Sequence, residues 1–214
     1  MKKALVADEA IAPPFTAAAT TERIDRVAEA LGRHNIEAIV VDTGAEARER
    51  VLGMVPQGAE VHWGTSRTLE EIGLTPELLA EGRYDALRPK YLPMDRATQG
   101  REIRKHVAAP DFMLGSDQAI TDDGALVVVS YSASQIGPYA SGAGRVILVV
   151  GSQKIVADLD EGMRRAREHV VPYEDASLRK RIGVPTKLAK LLVIYEEPSP
   201  GRMTVVLVRE PVGV

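Results

Sequence analysis

The feature that most constrains this chain is a set of short apolar runs that do not alternate. Residues 111–114, 125–129 and 146–150 are near-continuous hydrophobic stretches of strand length. A strand with one wet face alternates polar and apolar residues, whereas an unbroken run needs both faces covered, as in a parallel sheet packed between helices. Amphipathic helical segments lie between such runs. Ile24, Val27, Ala28 and Leu31 share one face of a helix over 21–32, with Thr21 as its cap and Gly32 as its stop. Strands are expected at 38–41, 60–63, 191–195 and 205–208. Helices are expected at 45–54, after Thr68 (capping-box spacing to Glu71), after Thr75-Pro76, from Asp95 to about Ala108, and after Asp158, where Leu159, Met163, Ala166 and Val170 form the apolar face. The fold class is therefore α/β, a mostly parallel layered sheet with helices on both faces. Residues 1–20 read as an extended N-terminal arm and 21–214 as a single α/β domain. Residues 172–190 read as irregular and basic.

Composition sets limits on function. The chain has 214 residues, 45% of them hydrophobic and 27% charged, which suits a globular core and not a disordered segment. A net charge of −3 and a pI near 5.9 argue against nucleic-acid binding. No apolar stretch approaches the ~18 residues of a membrane span. Asp8 and Glu9 cut short the one N-terminal run that imitates a leader, so a cytoplasmic protein is expected. There is no cysteine, which removes disulfides, thiol catalysis and cysteine-held clusters. No dinucleotide fingerprint, phosphate-loop lysine motif or nucleophile elbow occurs, and the four histidines lack metal-ligand spacing. Neither a metal nor a cofactor is expected in this chain.

In open α/β sheets, ligands bind beyond the carboxyl ends of the strands. Four expected strands end in small, hydroxyl-rich loops: Gly64-Thr65-Ser66, Gly115-Ser116-Asp117, Ser130 to Gln135, and Gly151 to Lys154. Glycine lets the backbone approach a ligand and hydroxyls donate to an anion. The first loop also precedes a helix N-terminus. The expectation is one cleft on one sheet edge, with Gly64, Thr65, Ser66, Gly115, Ser116, Ser132, Ser134, Gln135, Gly151 and Lys154 as ligand-binding residues. Lys154 is the expected cation and Arg67 the runner-up. If Lys154 is solvated in the free protein, its replacement should leave folding unchanged. Asp117, Asp123 and His62 are the weaker candidates for proton transfer. The basic stretch Arg179-Lys180-Arg181 reads as a solvated face, with an anion-facing flap as the sharper alternative.

Four stretches carry a family likeness. They are Gly64 to Leu74, Leu114 to Gly124, Arg145 to Val156 with the helix beginning at Asp158-Leu159, and Gly201 to Val208. Together they resemble the lactate-utilisation (LUD-domain) family, whose members are encoded beside an iron–sulfur oxidoreductase in bacterial lactate-oxidation operons. The resemblance implies a fold like that of ribose-phosphate isomerases, glucosamine-phosphate deaminases and coenzyme A transferases, in which the first glycine-rich loop holds phosphate or carboxylate. Many members carry Asp-Gly-Thr-Gly-Asn-Arg after the central strand; here Ser130 to Pro138 stands in that place, and the family's late cysteines are missing. The resemblance implies an accessory component of organic-acid utilisation, with L-lactate first, whose partners are a small organic anion and an iron–sulfur oxidoreductase subunit. A homo-oligomer is left open. Two other functions stay open: an enzyme acting on a phosphorylated or coenzyme A-linked small molecule, and a metabolite-sensing binding module.

Overall fold

The structure, a computed structural model, describes residues 15–214. Most of the expected N-terminal arm, residues 1–14, lies outside the described residues. Phe15 is buried rather than loose, under the side chains of Arg164 and His169.

The chain runs through α1 (Thr21–Arg33), β1 (Glu37–Val41), α2 (Gly44–Met54), β2 (Glu60–Trp63), α3 (Arg67–Glu71), α4 (Leu74–Leu78), β3 (Asp85–Ala86), α5 (Leu87–Tyr91) and α6 (Gly100–Ala108). It continues through β4 (Phe112–Gly115), β5 (Ala119–Thr121), β6 (Leu126–Ser130), β7 (Arg145–Gly151), β8 (Ile155–Val156), α7 (Leu159–Arg165), α8 (Val171–Ile182), β9 (Lys190–Ile194) and β10 (Met203–Val208). Six strands form one sheet in the order β1-β10-β7-β4-β2-β3, every neighbouring pair parallel. A second sheet has the order β8-β5-β6-β9.

β7 shows why its apolar run is unbroken. Val146, Leu148 and Val150 join a core that includes α1 and the second sheet, while Ile147 and Val149 join another beneath α2, α3 and α4. Both faces of the strand are covered, as the run requires. The expected α/β layering is present, with one refinement: one face of the large sheet carries helices, and the other carries α1 together with the small sheet. The outer side of the small sheet is closed by Leu159 and Met163 of α7.

Four local expectations are corrected. The run at 125–129 is not a parallel strand of the main sheet; it forms β6, antiparallel to both β5 and β9. Its unbroken apolarity arises because Leu126 and Val128 face the main core while Val127 faces α7. Residues 172–190 are not irregular throughout, because 171–182 form α8. That helix buries none of its residues, so it leaves no apolar stripe to read. Asp95 does not open a helix: its carboxylate holds the amide of Ala97 and the hydroxyl of Thr98 in a local turn, and α6 starts at Gly100. The cap of α3 is Ser66, which frees Thr68 to turn inward.

Candidate functional site

β7, β4 and β2 are consecutive parallel neighbours, so their carboxyl ends lie side by side. That register brings Gly64, Gly115 and the turn Ser152–Lys154 together. Between them is a pocket of about 50 Å3, lined by Gly64–Thr68, Gly115–Gln118, Gln135, Tyr139, Lys154, Val170 and Glu174. It is several times the ~10–15 Å3 that admits one water, and of a size for the head group of a small ligand. Two π-helical turns border it. Pro138–Gly142 carries Tyr139, and Ala166–Val170, between α7 and α8, carries Val170. Such turns inside helical segments occur often at functional sites.

The expectation of four loops on one edge of one sheet does not hold. The loop from Ser130 to Gln135 follows β6 of the small sheet, and of its residues only Gln135 lines the pocket. Ser132 and Ser134 line a wider cleft next to it, which shares Gly64 and Thr65 with the pocket. Gly151 faces elsewhere. A Cβ there would meet the Val212 nitrogen at 2.5 Å, so its bare backbone makes room for the chain after β10. Gly115 is different, because a Cβ would fall 1.7 Å from the Tyr139 hydroxyl. Only glycine lets that phenol reach the pocket. The helix opened by Gly64–Ser66 has five residues, too few aligned peptides for an appreciable dipole.

Lys154 is buried at 2% exposure. It is not solvated, because it follows a buried strand and turns back under the loops. Its Nζ donates to Thr68 Oγ1 and Ser116 Oγ, both at 2.9 Å, and to the Asp117 carbonyl at 3.4 Å. Beside it stands Asp117, 1% exposed, with neither carboxylate oxygen hydrogen-bonded among the described residues. Arg165 is wholly buried at the end of α7 and donates Nη1 to the Gln118 carbonyl at 2.5 Å. Two cations thus flank one carboxylate that no donor satisfies, although buried polar groups are bonded in the great majority of cases.

Burial pushes the Asp117 carboxyl up to about 7, with the charges of Lys154 and then Arg165 pulling it back. Burial brings the Lys154 ammonium down to about 7, against the attraction of Asp117. Arg165 falls to about 10 through burial, again opposed by Asp117. The Tyr139 phenol is raised, first by burial and then by the Asp117 charge. Near neutral pH a single proton can rest on either member of the lysine–aspartate pair. The arrangement can therefore bind an anion through Lys154 and its hydroxyls, accept a donor at Asp117, or move a proton between the two.

The other candidates lie apart. His62 is buried on β2 with its ring edge-on to Tyr91 at 5.6 Å. Burial and Arg88 hold its imidazole near 4, so it packs as a neutral ring. It does not line the pocket. Asp123 takes the Thr121 hydroxyl in the turn between β5 and β6, where Gly124 meets α1, away from the pocket. Arg67 lines the rim, half-exposed and paired with Glu71 at 3.5 Å. Sequence reasoning missed Thr68, Tyr139, Glu174 and Arg165. Arg165 sits three residues after Gly162 and four before His169, both buried in the structure, so helical phase turns it inward. Among the described residues no three His, Asp or Glu side chains are grouped to hold a metal ion, and no helix is long and apolar enough to cross a membrane.

Comparison with known proteins places this site in a family. The family model described as LUD domain matches residues 24–208. The chain belongs to the LUD domain family. The match reaches back into α1, β1 and α2, further than the likeness beginning at Gly64. Among solved structures, a DUF162 family protein from Deinococcus radiodurans is similar at 15% identity and a TM-score of 0.50, covering 90% of this chain and 99% of that one. At that identity the likeness concerns the fold alone. No curated protein matches the chain.

Proposed function

We propose that this LUD-domain chain is an accessory component of organic-acid utilisation, and that its inner pocket binds a small hydroxy acid, L-lactate first. The observation that carries the reading is the buried Asp117 carboxylate, without a donor, beside a buried lysine that holds two hydroxyls. A 2-hydroxy acid complements both halves. Its carboxylate would accept from Lys154, Ser116 and Thr68, and its hydroxyl would donate to Asp117. Arg165 offsets the second negative charge. Family membership supports an iron–sulfur oxidoreductase subunit as the protein partner, with the redox chemistry carried by that partner.

Binding calorimetry tests the pocket. L-lactate should bind the wild-type chain more tightly than propionate, which lacks the hydroxyl, by about tenfold or more, since a hydrogen bond to a charged group contributes about 1.5–3 kcal/mol. In Asp117→Ala the two acids should bind alike. Absence of saturable lactate binding would remove the acid from the reading. Recovery of the chain from native extract without any iron–sulfur protein would remove the partner.

One observation favours a second reading, in which the chain is itself an enzyme. Asp117 and Lys154 are both held near 7, as a proton-transfer pair at neutral pH requires. Turnover by the isolated chain, lost in Asp117→Asn, would decide for it.

A further inference from the structure

Gly64 and Thr65 of the inner pocket also line a second cleft of about 680 Å3. Free lactate would leave almost all of that volume empty, whereas it matches the ~300–1,000 Å3 of sites that hold drug-sized ligands. Its lining joins two chemistries. Four arginines face it: Arg88, Arg96, Arg104 and Arg181. Apolar side chains stand between them, and two, Leu92 and Ile182, are 56% and 65% exposed. Large apolar groups left in water within one cleft mark a surface meant to be covered.

The arginines are not equivalent. Arg88 is anchored by the Trp63 carbonyl at 3.1 Å, and Arg181 is paired with Glu70 at 3.3 Å. Arg96 and Arg104 have no acidic partner among the described residues. Two unpaired guanidinium groups beside apolar walls suit phosphate oxygens, which arginine takes in a bidentate fork, joined to a planar apolar group. α8 ties the cleft to the pocket: Glu174 lines the pocket, and Leu178, Arg181 and Ile182, four, seven and eight residues on, line the cleft.

We propose that the outer cleft is a binding site for a nucleoside diphosphate moiety, next to the small acid of the inner pocket. The phosphates lie against Arg96 and Arg104 and the base against Leu92 and Ile182. The location beside a small-acid head rests on the reading of the inner pocket; the nucleotide site does not.

Trp63 is the sole tryptophan of the chain, and the Arg88 guanidinium lies 5.5 Å from its ring centre, so its fluorescence reports on the cleft. The full chain is titrated with adenosine diphosphate, inorganic diphosphate and L-lactate, in the wild type and in the double variant Arg96→Ala/Arg104→Ala. Both side chains are exposed and free of ion pairs, so the variant should fold. Adenosine diphosphate should bind more tightly than inorganic diphosphate. The double variant should weaken the nucleotide by about tenfold or more, the loss expected for charge-assisted bonds, and leave lactate unchanged. Three results would each overturn the site: no saturable nucleotide binding at millimolar concentration, equal affinity in wild type and variant, or inorganic diphosphate binding as tightly as the nucleotide. Nucleotide binding without lactate binding would sink the acid reading and leave the cleft standing.

Discussion

Two buried ionic clusters stand at opposite ends of β7 and differ in one respect. Near its start, Arg202 pairs with Glu197 and gives three more donors to carbonyls, Ala143 at 3.1 Å and Pro138 and Tyr139 at 2.9 Å. Near its end, Lys154 and Arg165 flank Asp117, whose carboxylate receives no hydrogen bond among the described residues. The first cluster is closed, with the guanidinium bonds used within the fold. The second is open, and what it lacks is a donor. Removing one partner of a closed buried pair leaves the other charge uncompensated, whereas the open cluster already carries an unsatisfied carboxylate.

The largest expected effect breaks the closed cluster. Arg202→Ala leaves Glu197 buried and without its charge partner, and should cost about 3–5 kcal/mol in chemical denaturation. A loss under about 1 kcal/mol would mean that the two clusters do not differ in kind. Next is Lys154→Met in the open cluster. The lost hydrogen bonds are offset because a charge is no longer desolvated, so stability should change by about 1 kcal/mol or less, while L-lactate binding weakens by about 1.5–3 kcal/mol. A stability loss as large as that of Arg202→Ala, with binding unchanged, would make the lysine structural.

The smallest effect sharpens the contrast through pH. The Asp117 carboxyl is raised from its usual value near 4 to about 7, so its stabilising contribution is present at low pH and is lost as pH rises towards 7. Lys154 is lowered from 10.5 to about 7, so its contribution is present at high pH and is lost as pH falls towards 7. The pair therefore gives a stability minimum near neutrality. Asp117→Asn/Lys154→Met should flatten that minimum in thermal melts between about pH 4 and about 10, the range spanned by the two shifts. An unchanged profile would show that the pair does not titrate in that range.

How much could be read in advance follows from the same contrast. The cores of β7 and β10 were legible, because strands buried on both faces keep only apolar residues. Asp158 was legible as a cap, and its side chain does accept from the Glu161 amide at 2.9 Å. Lys154 was legible as a cation behind a strand, though its burial was not, because nothing local shows that Thr68 and Ser116 close over it. The small sheet was not legible, since β8 has two residues and β5 three, too short for any period. Arg165 was hidden in a run of arginines that equally suits a solvated helix end.

β10 is the last strand in sequence yet lies between β1 and β7, and among the described residues β1 pairs with no other strand. Thr204 reaches Glu37 across 167 positions of chain. The large sheet is therefore assembled out of order. Until residues 203–208 have taken their place, β7 exposes an apolar edge, the kind of edge that recruits other chains. Long-range closure of this sort is slow, on the order of milliseconds to seconds. The amides of β1 and β10 should then gain protection together and last in pulsed hydrogen exchange during refolding; protection of β1 before β10 would contradict this. The large sheet is joined across its middle only when β10 enters between β1 and β7.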